Sequence, residues 1–290
     1  MSANSKSGPA YAPTGVALDV LAAEVGCPSG SSGGQLDCLR KVSIYDLETA
    51  YFNSTTNTWF TPAIDDLTRF SNYEARYQAG QYASHVPLIT GNSNGEGTIF
   101  SLVYGFENSD FESWINTFDA DVAHIPDNVL IDAYNPSDFA TESLRSGTQY
   151  GDARFNCPVD YLVDIRSQKQ NTWVYRFFGA YDNVVGVPST APTHGTEIPF
   201  FLGGNECFSA LAGVTPAQQA LADSINDWFV EWIKNPAAGP GWNKVSEQGT
   251  VAKLGVPGKE TEVLLGNRRE YNGICEEVSL FIVRICGRCY

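Results

Sequence analysis

Two hundred and ninety residues, 43% of them hydrophobic and 12% aromatic, are enough to bury a large core, which excludes an intrinsically disordered chain. Thirty-three acidic against eighteen basic side chains give a net charge of -15, which argues against nucleic acid or an anionic bilayer as a partner. No apolar run approaches the roughly 20 residues of a membrane helix; the longest, Val278 to Cys286, is broken by Arg284. Met1 to Ala10 lacks the charged and apolar regions of a secretory signal. Seven cysteines, few lysines and a sequon at Asn53-Ser54-Thr55 nevertheless suit an oxidising, extracellular history. A cytosolic protein with scattered thiols and a chance sequon is the alternative that these features leave open.

In chain order, Val16, Leu18, Leu21, Ala22 and Val25 recur at helical spacing. A Ser/Gly loop from Pro28 to Gly34 follows between Cys27 and Cys38, and then Leu39, Val42, Tyr45, Leu47, Ala50 and Tyr51 recur at roughly helical spacing. Two helices flanking a loop are expected. After Trp59-Phe60-Thr61-Pro62, the run Val86-Pro87-Leu88-Ile89-Thr90, bounded by a Gly/Asn cluster, reads as a strand. A helix over about Pro158 to Ser167 precedes a second strand, Thr172 to Phe178, β-branched and aromatic. The clearest helix is Pro216 to Lys234, with Thr215 as N-cap, proline first, Leu221, Ile225, Trp228, Phe229 and Trp232 on one face, and Pro236 to end it. Glu262 to Gly266 reads as a last short strand. Helices alternating with strands give an α/β class, and no linker sets off a second domain.

Val86 to Phe100, Thr193 to Gly203 and a frame of residues from Gly26-Cys27 to Trp242 form three groups whose order resembles the type-B carboxylesterases, the family of cholinesterases and fungal lipases. The first is Val86 to Phe100, VPLITGNSNGEGTIF, similar to that family's strand and acid loop. The second is Thr193-His194-Gly195-Thr196-Glu197-Ile198-Pro199 and the apolar strip to Gly203, similar to its histidine loop, and the most specific of the three. The third is a frame comprising Gly26-Cys27 to Cys38-Leu39-Arg40, Phe60-x-Pro62-x-x-Asp65, Gly151-Asp152-x-x-Phe155-x-Cys157-Pro158, and Trp228 with Trp232 ahead of Trp242. The resemblance implies the C-terminal part of an α/β-hydrolase fold, a mixed, mostly parallel sheet flanked by helices, whose N-terminal strands and nucleophile elbow are missing. On this basis residues 1–275 are a partial carboxylesterase domain and 276–290 a tail unlike the family.

The resemblance makes Glu96 the acid and His194 the base of a serine-esterase triad, in the chain order that α/β-hydrolases require of these two members. Taken singly, each is more simply a solvated turn carboxylate and a surface histidine. The family's serine elbow and oxyanion segment lie upstream of the region that these residues match, so the chain alone is expected to be inert, a truncated product of a secreted parent that acts on small carboxylic esters. The one literal G-x-S-x-G match, Gly30-Ser31-Ser32-Gly33-Gly34, is read as accidental, with no strand before it and no helix directly after. His85 and His124 have no partners at metal-ligand spacing, so no metal or other cofactor is expected. Tyr175, Phe177, Phe178 and Phe200 fit core packing better than the wall of an apolar gorge.

The resemblance also pairs Cys27 with Cys38 and Cys157 with Cys275, and leaves Cys207, Cys286 and Cys289 unassigned. A non-catalytic, partner-binding module of the same family is the competing function; the retention of both Glu96 and His194 favours a hydrolase.

Overall fold

The computed structural model describes residues 16–28, 30, 33–53, 65–70, 72–103, 110–117, 125–184, 191–203, 213–245 and 249–275. They fall into two units, one within Ser7–Tyr73 and one within Glu74–Tyr290.

The smaller unit holds α1 (Val16–Glu24), α2 (Gly33–Leu39) and α3 (Ile44–Asn53). Cys27 and Cys38 are joined by a disulfide, with Cα atoms 5.8 Å apart, and Ala22, Cys27 and Leu39 form the buried centre. Two helices flanking the Cys27–Cys38 loop were expected; the disulfide does close that loop, but α2 lies inside it. Its two glycines are poor helix formers, but Gln35 is buried and donates to Asp19 Oδ1 at 2.7 Å, so a tertiary contact overrides local preference. The expected second helix starts at Ile44, where Ser43 caps it: its hydroxyl accepts from the Asp46 N–H at 3.1 Å and donates to Asp46 Oδ2 at 2.7 Å. Trp59 to Pro62, Ser54-Thr55 of the sequon, Ser31 and Ser32 lie outside the described residues.

The larger unit begins with α4 (Tyr73–Gln78) at the boundary and then β1 (Leu88–Ser93). Helices α5 (Thr98–Val103), α6 (Phe111–Thr117), α7 (Asp127–Ala133) and α8 (Glu142–Gly151) follow, and α8 runs through a π-helical turn, Asp152–Asn156, into α9 (Cys157–Ser167). Next come β2 (Thr172–Phe177), the single turn α10 (Ile198–Phe201), α11 (Pro216–Lys234), β3 (Thr250–Leu254) and β4 (Leu264–Asn267). The sheet has the order β1-β2-β3-β4, parallel across the first two junctions and antiparallel at the last.

β2 is the axis of this unit, and all six of its residues are buried. On one face Trp173, Tyr175 and Phe177 meet Leu221 and Ile225 of α11 together with Phe200, Ala252 and Leu254. On the other, Val174 meets Val159 and Val163 of α9 and Val251 of β3. The β-branched and aromatic residues of β2, which made TWVYRF legible as a strand, fill both faces of the sheet. Helix α11 is also where its sequence put it, because its start is local chemistry: Thr215 Oγ1 accepts from the Gln218 N–H at 3.1 Å and proline follows the cap.

β1 begins two residues later than the expected strand and runs on to Ser93. Its polar half fits because Gly91 lets β2 approach: a Cβ there would sit 2.4 Å from the Tyr175 carbonyl oxygen. β3, which sequence reading passed over, is a five-residue strand between Gly249 and Gly255, both at positive φ. Cys157 and Cys275 are disulfide-bonded, Cα atoms 5.2 Å apart, tying the start of α9 to the helical residues after β4. Cys207, Cys286, Cys289 and the tail 276–290 lie outside the described residues. No helix among the described residues is long and apolar enough to cross a membrane.

Candidate active site

Two turns meet at the C-terminal ends of β1 and β2. The first, residues 94–97 directly after β1, carries Glu96; the second, residues 194–197 directly before α10, carries His194. Hydrogen bonds hold the turns to each other and to the sheet: the Gly95 N–H donates to the Pro192 carbonyl at 2.8 Å and the Asn94 N–H to the Phe177 carbonyl at 2.9 Å. Gly97 and Gly195 both have reasons to be glycine. A Cβ on Gly97 would lie 1.7 Å from the Gly147 carbonyl oxygen, so the acid turn sits directly on the backbone of α8, and Gly195 has φ of +79°.

His194 Nδ1 lies 2.7 Å from Glu96 Oε2. The Glu96 side chain is 3% exposed and that of His194 is 34% exposed, so the pair has one dry and one accessible member. An ionised carboxylate can only accept, so Nδ1 carries the proton and the other ring nitrogen, Nε2, is left as the base. The other Glu96 oxygen accepts the Ser93 N–H at 2.7 Å. The Ser93 hydroxyl in turn donates to Glu197 Oε2 at 2.9 Å, so one serine bridges two buried carboxylates. Burial, reinforced by the charge of Glu96, raises the Glu197 carboxyl above its ordinary range. The hydrogen bond that His194 donates to Glu96 raises the imidazole above its usual value, against burial, with the charges of Glu96 and Glu197 adding to it.

The imidazole also stacks on Phe155, ring centroids 4.3 Å apart at 27°, with Phe100 at 5.6 Å. An accessible, oriented imidazole whose tautomer is set by a buried carboxylate is the arrangement that accepts a proton from a hydroxyl nucleophile and returns it to a leaving group. Among the described residues no hydroxyl hydrogen-bonds His194.

Sequence reading named Glu96 and His194, and the fold brings them together. It gave no role to Ser93, Glu197, Phe155 or Arg176. Ser93 and Glu197 lie inside the two quoted segments and Phe155 is a named residue of the frame; their roles, like that of Arg176, had no local signal, because each matters only through a partner distant in the chain. Tyr175, Phe177 and Phe200 belong to the core cluster, and Phe178 meets Tyr271 edge-on at 5.8 Å. His85 lies on the loop that enters β1, at the other end of the sheet, and His124 lies outside the described residues. For the G-x-S-x-G match a correction is needed: α2 does begin at once, at Gly33, because Gln35 and Leu39 find buried partners. What precedes the match is the helix α1, not a strand. Among the described residues no three His, Cys, Asp or Glu side chains group as metal ligands.

Residues 2–270 match the Carboxylesterase family. The chain is 26% identical over 223 residues to a chlorogenic acid esterase of Aspergillus niger, covering 76% of this chain and 36% of that protein. It is 21% identical over 253 residues to secreted lipase 5 of Gibberella zeae, covering 82% of this chain and 41% of that protein. The chain thus spans well under half the length of either relative. The solved structure of a PNB esterase superposes with a TM-score of 0.62 at 20% identity, over 89% of this chain and 52% of that one, a likeness of fold. With its mostly parallel sheet, flanking helices and turns at the strand ends, the chain belongs to the Carboxylesterase family and carries part of an α/β-hydrolase fold.

Proposed function

We propose that the chain supplies the acid, Glu96, and the base, His194, of a serine-type hydrolase that cleaves small-molecule carboxylic esters outside the cell. The observation that carries this reading is the 2.7 Å contact between His194 Nδ1 and the buried Glu96 carboxylate. His194 Nε2 removes the proton of a serine hydroxyl as that oxygen attacks the ester carbonyl, and the imidazolium, held by Glu96, returns it to the departing alkoxide. The same nitrogen then deprotonates the water that releases the acid. The serine and the oxyanion donors come from residues other than those described, so residues 1–275 act as the acid-and-base portion of the catalytic domain. Without a nucleophile the dyad has no hydroxyl to activate, and each missing oxyanion donor removes about 10²- to 10³-fold of rate. The secreted fungal relative and the two disulfides support the extracellular setting.

The test is to assay the 290-residue chain, together with the longer product where the gene encodes one, on a short-chain activated ester. The reading expects the chain alone to be silent and the longer product to be active. In the active product, Glu96→Gln should lower kcat by about 10⁴-fold. Its rate should fall with acid as His194 protonates, at a pH above the 6.5 of an ordinary imidazole, because Glu96 favours the charged ring. Saturable turnover by the 290-residue chain, abolished by His194→Ala, would show that one of its own hydroxyls is the nucleophile and would end the divided reading.

A further inference from the structure

A cation is buried beneath the acid turn, and the hydrolytic scheme makes no use of it. Arg176 is the one charged residue of β2 and is 7% exposed. Burying a guanidinium is costly, and an apolar residue would serve a strand core at least as well. Its hydrogen bonds say where it is needed. Nε donates to Asn94 Oδ1 at 3.3 Å and Nη2 to the Asn94 carbonyl at 3.2 Å. Nη1 donates to Asn156 Oδ1 at 2.8 Å.

Asn156 is in turn fixed within the π-helical turn, its Nδ2 donating to Asp152 Oδ1 at 2.7 Å, and Asp152 Oδ2 accepts from the Tyr134 hydroxyl at 3.1 Å. Asn94 is therefore gripped at its side chain and its carbonyl by one guanidinium and at its N–H by Phe177, two residues before Glu96. The same π-helical turn presents Phe155, which stacks on the His194 ring. A π-helical turn offsets one residue relative to an α-helix and is often found at functional sites. Here the offset turn faces the histidine with one side chain and the acid turn, through Arg176, with another.

We propose that Arg176 is a positioning residue: anchored on Asn156, it holds Asn94 and thereby sets the turn from which Glu96 meets His194. This rests on the reading of Glu96 and His194 as a catalytic pair. The fork geometry explains the residue type, since a guanidinium reaches Asn94 twice and Asn156 once in one plane, which an ammonium does not match.

The experiment follows the imidazole titration of His194 by NMR in the 290-residue chain, with the signal assigned through His194→Gln. It compares the unaltered chain with Arg176→Met, Arg176→Lys, Asn94→Ala and Glu96→Gln. The charged groups that face the imidazole are Glu96 and Glu197, and those that face Arg176 are Asp152 and Glu96, with the neutral Tyr271 ring centred 5.3 Å from the guanidinium carbon. The signs separate the explanations. Loss of a nearby cation, by itself, raises the pKa of His194; release of Glu96 from the imidazole lowers it. A positioning role lowers the His194 pKa in Arg176→Met by about half a pH unit or more, in spite of the lost cation. Arg176→Lys keeps the charge and still lowers it, and Asn94→Ala lowers it by less. An unmoved or raised value in Arg176→Met and Asn94→Ala, with Glu96→Gln lowering it, overturns the proposal and leaves the pair intact. If Glu96→Gln also leaves it unmoved, the pair itself is wrong and the proposal falls with it. Should Arg176→Met fail to fold, Asn94→Ala, at a partly exposed position, decides the matter alone.

Discussion

The two ends of β2 are built differently. At its start, Ser84, His85, Pro87 and residues 167–172 and 244–245 line an open cleft of about 430 Å³. There Lys169 Nζ donates to the Tyr77 carbonyl at 3.0 Å and Lys244 Nζ to Asn171 Oδ1 at 2.9 Å, both exposed. At its other end most of the polar groups are buried and paired with one another: Glu96 with Ser93 and with the partly exposed His194, Ser93 with Glu197, Arg176 with Asn156 and with the partly exposed Asn94. The wet end can lose a contact to water at little cost. At the drier end Glu96, Ser93, Glu197, Arg176 and Asn156 are buried, so a lost partner there is not readily replaced by water and geometry is held tightly. In α/β sheets ligands bind beyond the carboxyl ends of the strands, and in this molecule that is the drier end.

The comparison is broken most severely by removing the close approach that seats the acid turn. Gly97→Ala puts a methyl 1.7 Å from the Gly147 carbonyl, a backbone atom that has nowhere to go. A stability loss above about 4 kcal/mol, or failure to fold, is expected in chemical denaturation. An effect below about 1 kcal/mol would mean that the turn is not seated on α8 as described.

Phe177→Ala comes next. The ring is fully buried where β2 enters the dry end, and truncation should cost about 3–5 kcal/mol in the same measurement.

The third prediction concerns pH. Burial raises the Asp152 carboxyl from 3.8 to about 6, against the hydrogen bond from Asn156 and the charge of Arg176. The folded state therefore keeps a proton that the unfolded chain releases near 3.8, so this group's contribution to stability falls as pH rises from 3.8 to about 6 and is level above that. Other carboxylates add slopes of their own, so the difference between the native chain and Asp152→Asn is the quantity to measure. The native chain should lose stability relative to the variant across that window. An equal pH slope in both would show that the site is wetter than its burial indicates.

At the wet end, Lys244→Ala should change stability by no more than about 0.5 kcal/mol, since water replaces the lost contact to Asn171. Read beside Gly97→Ala, this smallest effect measures how far the two ends of one strand differ.

What the sequence determined by itself is what short stretches can encode. Thr215-Pro216 and the apolar stripe behind it set α11 wherever the chain goes, because a cap and a 3.6-residue period need no distant partner. The β-branched and aromatic run TWVYRF announced a strand, and the two family-like segments singled out Glu96 and His194 as residues. Their 2.7 Å separation was a different matter. It depends on Gly95 meeting Pro192 and on β1 lying beside β2, contacts that span scores of residues. The rest of the site was illegible for the same reason. Ser93 reads as a polar residue after an apolar run until Glu197 is found against it, and Arg176 reads as a blemish in a strand until Asn94 and Asn156 surround it. Even the secondary structure shifted where a remote partner outweighed local preference, as Gln35 did for α2 and as the neighbouring strands did for β3. Propensity and periodicity are properties of a window of chain. A buried polar group has no such signature, because its energy is decided by partners that only the folded chain brings within reach.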